Sequence, residues 1–295
     1  MKTYLFLHFA GLHFYFILLF SLCLSSMLIA QTNQVTSGYI ESNGINYYYE
    51  IQGEGEPLLL LHGGLGSIEM FRPVLPSYAK SRKLILVDLQ GHGRTALGDR
   101  KLDLTAMGDD MATILKELNI EKTDAMGFSL GGGVAFRLAV QHPPLVEKLI
   151  LVSAGYSTEG FYPEIQAQQS QVNSSMADMM KETPMYQSYA EIAPQPEDFP
   201  RLLGAIGEFM TQPYDWSDDV QKLKMPVMIA FGDSDMFRPE HMVEFYQLLG
   251  GGQKDGGWMG ENMSQNRLAI LPGATHYNII MSPLLVPTVM TFLEK

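Results

Sequence analysis

Cysteine occurs once in the 295 residues, at Cys23. That leaves no intramolecular disulfide, no thiolate zinc cage and no basis for a cysteine nucleophile. Cations are also scarce: Lys and Arg total 20 against 32 Asp and Glu, a balance of −12, which excludes a nucleic-acid surface built on many phosphate contacts. With 46% apolar side chains and a mean hydropathy of +0.01, the chain is neither a disordered tail, a collagen-like fibre nor a multi-span transporter. One globular domain, or one domain with an insertion, fits the length.

The long apolar run is confined to the start. Met1 to Ala30 contains 22 apolar residues, the single cation Lys2 and no acid. Charge, apolar core and a Ser25, Ser26, Ala30 exit zone give the pattern of a secretory signal peptide, with a retained N-terminal anchor as the alternative. Residues 1–30 are therefore not expected to form part of the fold, and the remaining chain is expected to be exported, thiol-free and at a net charge of −13. Any membrane contact is expected only through residues 1–30, if they are not cleaved.

Beyond Gly38 short apolar runs alternate with helical patterns, which predicts an α/β fold with a mostly parallel eight-stranded sheet flanked by helices. Gly38–Ser42 and Ile45–Ile51 flank Asn43-Gly44, a hairpin signal that makes the first pair antiparallel. Six further runs are apolar enough to be buried on both faces: Pro57–Leu61, Lys83–Asp88, Thr123–Met126, Lys148–Val152, Pro226–Phe231 and Arg267–Leu271. Helices are predicted over Asp103–Leu118 and Pro239–Leu249.

Residues 155–219 contain no strand-like run and read as an inserted helical cap between two core segments, 36–154 and 220–295. Phe199, Leu202, Leu203, Ile206 and Met210 recur at helical spacing there, and Met176, Met179 and Met180 mark another amphipathic turn. From Tyr156 to Asp219 there are eleven acids and two cations, so the insertion holds −9 of the −13. Either this is a solvated helical face, or it is a substrate entrance that repels anions.

Gly127-Phe128-Ser129-Leu130-Gly131 follows a strand and opens a helical pattern, the setting of a nucleophile elbow. A serine needs a base to take its proton, and the base needs an orienting anion. Of the five histidines beyond the leader, only His276, after the last strand, falls where the chain order Ser, acid, His puts the base. The acid lies past the preceding strand, where Asp233 and Asp235 both qualify; two-residue spacing in extended chain points them the same way and does not separate them. Asp88 reads instead as a carboxylate that holds a loop. Two backbone N–H groups are needed for an oxyanion: Leu130, next to the nucleophile, supplies one, and His62-Gly63-Gly64-Leu65-Gly66 supplies the other at Gly64. No lysine follows these glycines in the register of a phosphate loop.

With these motifs in place, the chain from Gly38 to Lys295 resembles the α/β-hydrolase superfamily, in the helical-cap group of small serine esterases, haloperoxidase-like enzymes and proline iminopeptidases. The marks are His62-Gly63-Gly64, Asp88 through Gly91-His92-Gly93-Arg94-Thr95, the Ser129 elbow, Gly232-Asp233-Ser234-Asp235, and Pro272 to His276. The resemblance favours Asp235 as the acid. It implies a serine hydrolase cleaving a carboxylic ester through Ser129, His276 and Asp235, with an acyl-enzyme intermediate, no metal and no organic cofactor. Epoxide- and haloalkane-cleaving relatives have aspartate at the elbow, where this chain has Ser129. Phe128 and Leu130 stand where proline iminopeptidases have glycine and tryptophan, although an acidic cap could bind a substrate amine. The expected substrate is a small acyl compound, neutral or cationic; an aminopeptidase or amidase, or a ligand-binding protein on a hydrolase scaffold, are the alternatives.

Overall fold

The computed structural model describes residues 35–294. The leader reading of residues 1–30 lies outside them, and among the described residues no helix is long and apolar enough to cross a membrane.

Eight strands form one sheet: β1 (Thr36–Ser42), β2 (Ile45–Gln52), β3 (Glu56–Leu61), β4 (Arg82–Val87), β5 (Thr123–Phe128), β6 (Val146–Val152), β7 (Val227–Ser234) and β8 (Arg267–Thr275). Their order is β1-β2-β4-β3-β5-β6-β7-β8. β1 and β2 pair antiparallel through a turn in which Asn43 and Gly44 both take positive φ, 49° and 81°, as the Asn-Gly signal requires. β2 also runs antiparallel to β4, and the remaining pairs are parallel.

Each central strand feeds two cores. Leu59, Leu61, Ile85, Val87, Leu149 and Leu151 pack on one face against α1 (Leu104–Glu117) and α2 (Leu130–Gln141). Their neighbours Leu58, Leu60, Leu84, Leu86, Ile150 and Val152 point the other way, toward Phe71, Tyr78, Val289 and Phe292. This alternation, with both faces covered, is why the strands read as continuous apolar runs. The helix predicted from Asp103 starts one residue later: Asp103 is its cap, with a carboxylate that accepts from Ala106 N–H at 2.7 Å.

Between β6 and β7 the chain is helical. α3 (Pro163–Gln169), α4 (Pro184–Ile192) and α5 (Phe199–Met210) are its longer elements, and α5 buries Phe199, Leu202, Leu203 and Ile206. The methionine turn is short; Met176 and Met180 pack beside Phe199 and Leu203, but Met179 is exposed. Where this segment returns to the core, Trp216 stacks on Phe136 of α2 at 5.0 Å. Arg137, over the Trp216 ring at 4.3 Å, also pairs with Asp219 at 2.6 Å.

The antiparallel edge is tied to α1 by one carboxylate. Asp110 is fully buried and accepts from Ser42 Oγ (2.8 Å), Asn43 Nδ2 (2.7 Å), Tyr47 OH (2.7 Å) and Arg100 Nη2 (2.6 Å). Removing it strands a buried guanidinium bond and two hydroxyls. Asp110→Ala is expected to cost about 3–5 kcal/mol, lowering the thermal midpoint by roughly 10 °C on a circular-dichroism melt; an unchanged midpoint would show that the hairpin does not need this tie.

Candidate active site

β3 lies between β4 and β5, so the chain connections leave β3 and β5 in opposite directions and open a crevice at their carboxyl ends. The glycine turn after β3 and the serine after β5 both border that crevice.

Ser129 takes φ 53° and ψ −116°, a strained conformation for a residue with a Cβ. The flanking glycines make it possible. A Cβ on Gly127 would collide with the Gly131 carbonyl, and one on Gly131 with the Leu61 carbonyl. Ser129 N–H donates to the Val152 carbonyl at 3.0 Å, which fastens the turn to the end of β6.

His276 stands one residue beyond β8, buried, with Nε2 at 3.1 Å from Ser129 Oγ and Nδ1 at 3.2 Å from Asp235 Oδ1. Phe128 packs against the imidazole with ring centres 5.2 Å apart. Asp235 is buried, and burial alone opposes its charge. His276, Ser153 Oγ and the Gly232 N–H outweigh that effect and hold the carboxyl below its ordinary pKa.

The equal standing of Asp233 and Asp235 does not survive. A register shift between Gly232 and Ser234 breaks the alternation, and β7 ends before Asp235. Asp233 is exposed and accepts from Gly273 N–H at 3.0 Å, holding the turn that leads to His276. Only Asp235 faces the imidazole. Ser153, which no sequence pattern singles out, also reaches Asp235, at 2.5 Å. A lone serine at a strand end carries no local signal.

Gly64 and Leu130 border the same cavity, and a Cβ on Gly64 would lie 3.9 Å from Leu130 Cβ. Leu130 is the first residue of α2, so its N–H has no intrahelical carbonyl. The turn carrying Gly64 is set by His62, whose Nε2 accepts from Leu89 N–H at 3.0 Å and whose Nδ1 therefore carries the proton donated to the Gly63 carbonyl at 2.8 Å. Asp88 holds the same region, accepting from Ile68 N–H at 2.8 Å and Arg94 N–H at 2.9 Å. Its expected loop-holding part is what the contacts display.

The cavity holds about 440 Å³. Leu104, Trp216, Phe209, Phe161 and Phe237 line its walls, and Met70, Met185, Met210 and Met236 add flexible thioethers. Its lining contains no Asp, Glu, Lys or Arg. None of the acids of the segment between β6 and β7 is therefore among the residues that line the cavity. Among the described residues, no cluster of three or more His, Cys, Asp or Glu side chains could hold a metal ion.

Residues 56–183 match the family model described as alpha/beta hydrolase fold. Over 125 residues the chain is 38% identical to a 2-hydroxymuconate semialdehyde hydrolase of Pseudomonas sp. (strain CF600), covering 40% of this chain and 44% of that protein. Over 111 residues it is 38% identical to a pimeloyl-[acyl-carrier protein] methyl ester esterase of Nitrosospira multiformis, covering 37% and 42%. The match spans less than half the length of these curated relatives. A thermophilic esterase from Thermogutta terrifontis superposes with a TM-score of 0.67 at 21% identity, over 88% of this chain and 98% of that one. The architecture is the α/β-hydrolase fold. The likeness to the family is carried by residues 56–183, and the fold by the structure as a whole.

Two buried histidines beside the site give stability a pH dependence. Burial pushes His62 down to about 4; burial and the neighbouring His62 push His92 down to about 3. Their folded pKa values lie below the unfolded value, so the unfolded chain takes up protons first as pH falls. Stability is complete above about pH 6.5 and declines below it, by about 2 kcal/mol for each histidine from about pH 7 to about pH 5. Urea denaturation at the two pH values measures this decline; in His92→Gln it is expected to shrink.

Proposed function

We propose that the protein is a serine hydrolase that cleaves neutral carboxylic esters through an acyl-enzyme. The observation that carries this reading is the linked geometry of Ser129, His276 and Asp235 at the wall of an uncharged cavity. Relatives named as hydrolases and esterases support it at the level of reaction class.

In this reading Ser129 Oγ attacks the ester carbonyl as its proton passes to His276 Nε2. Asp235, bound to Nδ1, keeps the ring oriented and stabilises the imidazolium. The Gly64 and Leu130 N–H groups receive the oxyanion, each contributing about 2.7–4 kcal/mol to the transition state. His276 returns the proton to the leaving alkoxide, and the alcohol departs. Water then attacks the acyl-serine by the same route, releasing the acid and restoring Ser129. The helical segment 155–219 serves as the cap over the reacting groups, and residues 1–30 direct export.

The lining favours the neutral half of the neutral-or-cationic expectation. Apolar walls stabilise a hydrocarbon acyl or alcohol group, and with no Lys or Arg there is no counter-charge for a carboxylate substrate. Equally, no carboxylate waits for an amine, which leaves the aminopeptidase alternative without support in this cavity.

Turnover of p-nitrophenyl butyrate is expected, falling at least about 1,000-fold in Ser129→Ala. p-Nitrophenyl hemisuccinate is expected to react at least about 10-fold more slowly in kcat/KM, because its charge would be desolvated without a partner. Stopped assays on the two esters and on proline-β-naphthylamide measure this. Turnover that survives Ser129→Ala overturns the serine mechanism, and equal rates on the charged ester overturn the substrate class.

A further inference from the structure

The Asp235 carboxylate is held on both oxygens. Oδ1 accepts from His276 Nδ1 at 3.2 Å and Met236 N–H at 2.7 Å, while Oδ2 accepts from Ser153 Oγ at 2.5 Å and Gly232 N–H at 3.1 Å. Ser153 and His276 are its side-chain partners among the described residues, and Ser153 is 1% exposed. Ser153 is itself at φ 47°, with its N–H bonded to the Ala230 carbonyl at 2.8 Å, extending the β6–β7 pairing by one residue. The residue before it, Val152, accepts the Ser129 N–H. One strand end thus holds the nucleophile through its backbone and the acid through a side chain.

We infer that Ser153 is a positioning residue for the proposed hydrolysis, clamping Oδ2 of Asp235 so that Oδ1 stays on His276 Nδ1. The inference rests on the Ser129–His276–Asp235 reading. Rotation about Cβ–Cγ of an aspartate is soft, and both main-chain N–H donors belong to the stretch of chain that carries Asp235 itself, Gly232 near the end of β7 and Met236 just beyond the aspartate. The Ser153 hydroxyl is the tie from a different strand. A hydroxyl donating to an ionised oxygen at this distance makes a charge-assisted bond, stronger than one between neutral groups. Around the carboxylate, the position after β6 contributes Ser153, the loop after β8 contributes His276, the end of β7 contributes the Gly232 N–H and the loop after it the Met236 N–H. Asp233 is turned away to Gly273 N–H. No lysine or arginine is among these partners, so ionisation of Asp235 depends on few donors and loses measurably when one is removed.

The test compares Ser153→Ala, Ser153→Gly and Asp235→Asn with the unaltered protein on p-nitrophenyl butyrate, following kcat, KM, the pH profile and the thermal midpoint. Glycine accepts a positive φ without strain, so Ser153→Gly separates the hydroxyl from the fold. Both Ser153 variants are expected to lose about 10- to 100-fold in kcat with KM little changed. The acid limb of kcat/KM is expected to move to higher pH, because Asp235 with one donor fewer takes up a proton more readily. If both variants keep kcat and the acid limb while Asp235→Asn loses activity, Ser153 has no positioning role and the triad reading stands. A lower midpoint with an unmoved pH profile and kcat marks a purely structural serine and equally overturns the inference. If Asp235→Asn itself keeps full activity, the triad reading fails and the inference falls with it.

Discussion

The Ser129 N–H bond to the Val152 carbonyl is the contact on which the rest of the site depends. A residue with a Cβ at φ 53° costs about 1–3 kcal/mol and persists only where its surroundings leave no alternative. Here β5 is paired to β6 up to Phe128 and Val152, α2 starts at Leu130, and the two are packed too closely for a side chain at Gly127 or Gly131. The serine is thereby pushed out of the sheet toward His276. The sheet supplies the rigidity and the turn stores the strain.

Charge is distributed with equal consequence. Two ion pairs on buried carboxylates lie outside the cavity lining: Asp110 with Arg100 at the antiparallel edge, and Asp124 with Arg82, which also reaches the Leu293 carbonyl. The cavity lining has no formal charge apart from what His276 takes up. Under the proposed hydrolysis, this low-dielectric setting lets the N–H dipoles of Gly64 and Leu130 and the His276–Asp235 pair act on a reacting group with little competition from water. An ionised side chain in the same wall would require its own partner there.

Several features were legible before any coordinates. Strands β3 to β7 announced themselves because both faces are covered, which turns each into an uninterrupted apolar run. Asn43-Gly44 specified its turn because few residues accept two positive φ angles in succession. Ser129 and His276 were readable from glycine spacing and chain order. Asp233 and Asp235 were not separable, since the argument from extended geometry fails where the pairing slips between Gly232 and Ser234. Ser153 left no trace, because its importance lies in a contact across 82 positions of sequence. The acids counted between Tyr156 and Asp219 gave a total without a direction, and a total cannot say which helical face turns inward.

By itself, the sequence determined the layers, the order of strands and helices along the chain, and which serine and which histidine stand as the candidate nucleophile and base. These depend on period, on turn chemistry and on order along the chain, all of which are local. Tertiary structure alone decided which aspartate meets the imidazole, which serine steadies that aspartate, and that the acidic segment presents an uncharged lining to the site. Those outcomes turn on distances of about 3 Å between groups far apart in sequence, set by how β6, β7 and β8 end against one another and by which side chains the packing leaves facing the cavity.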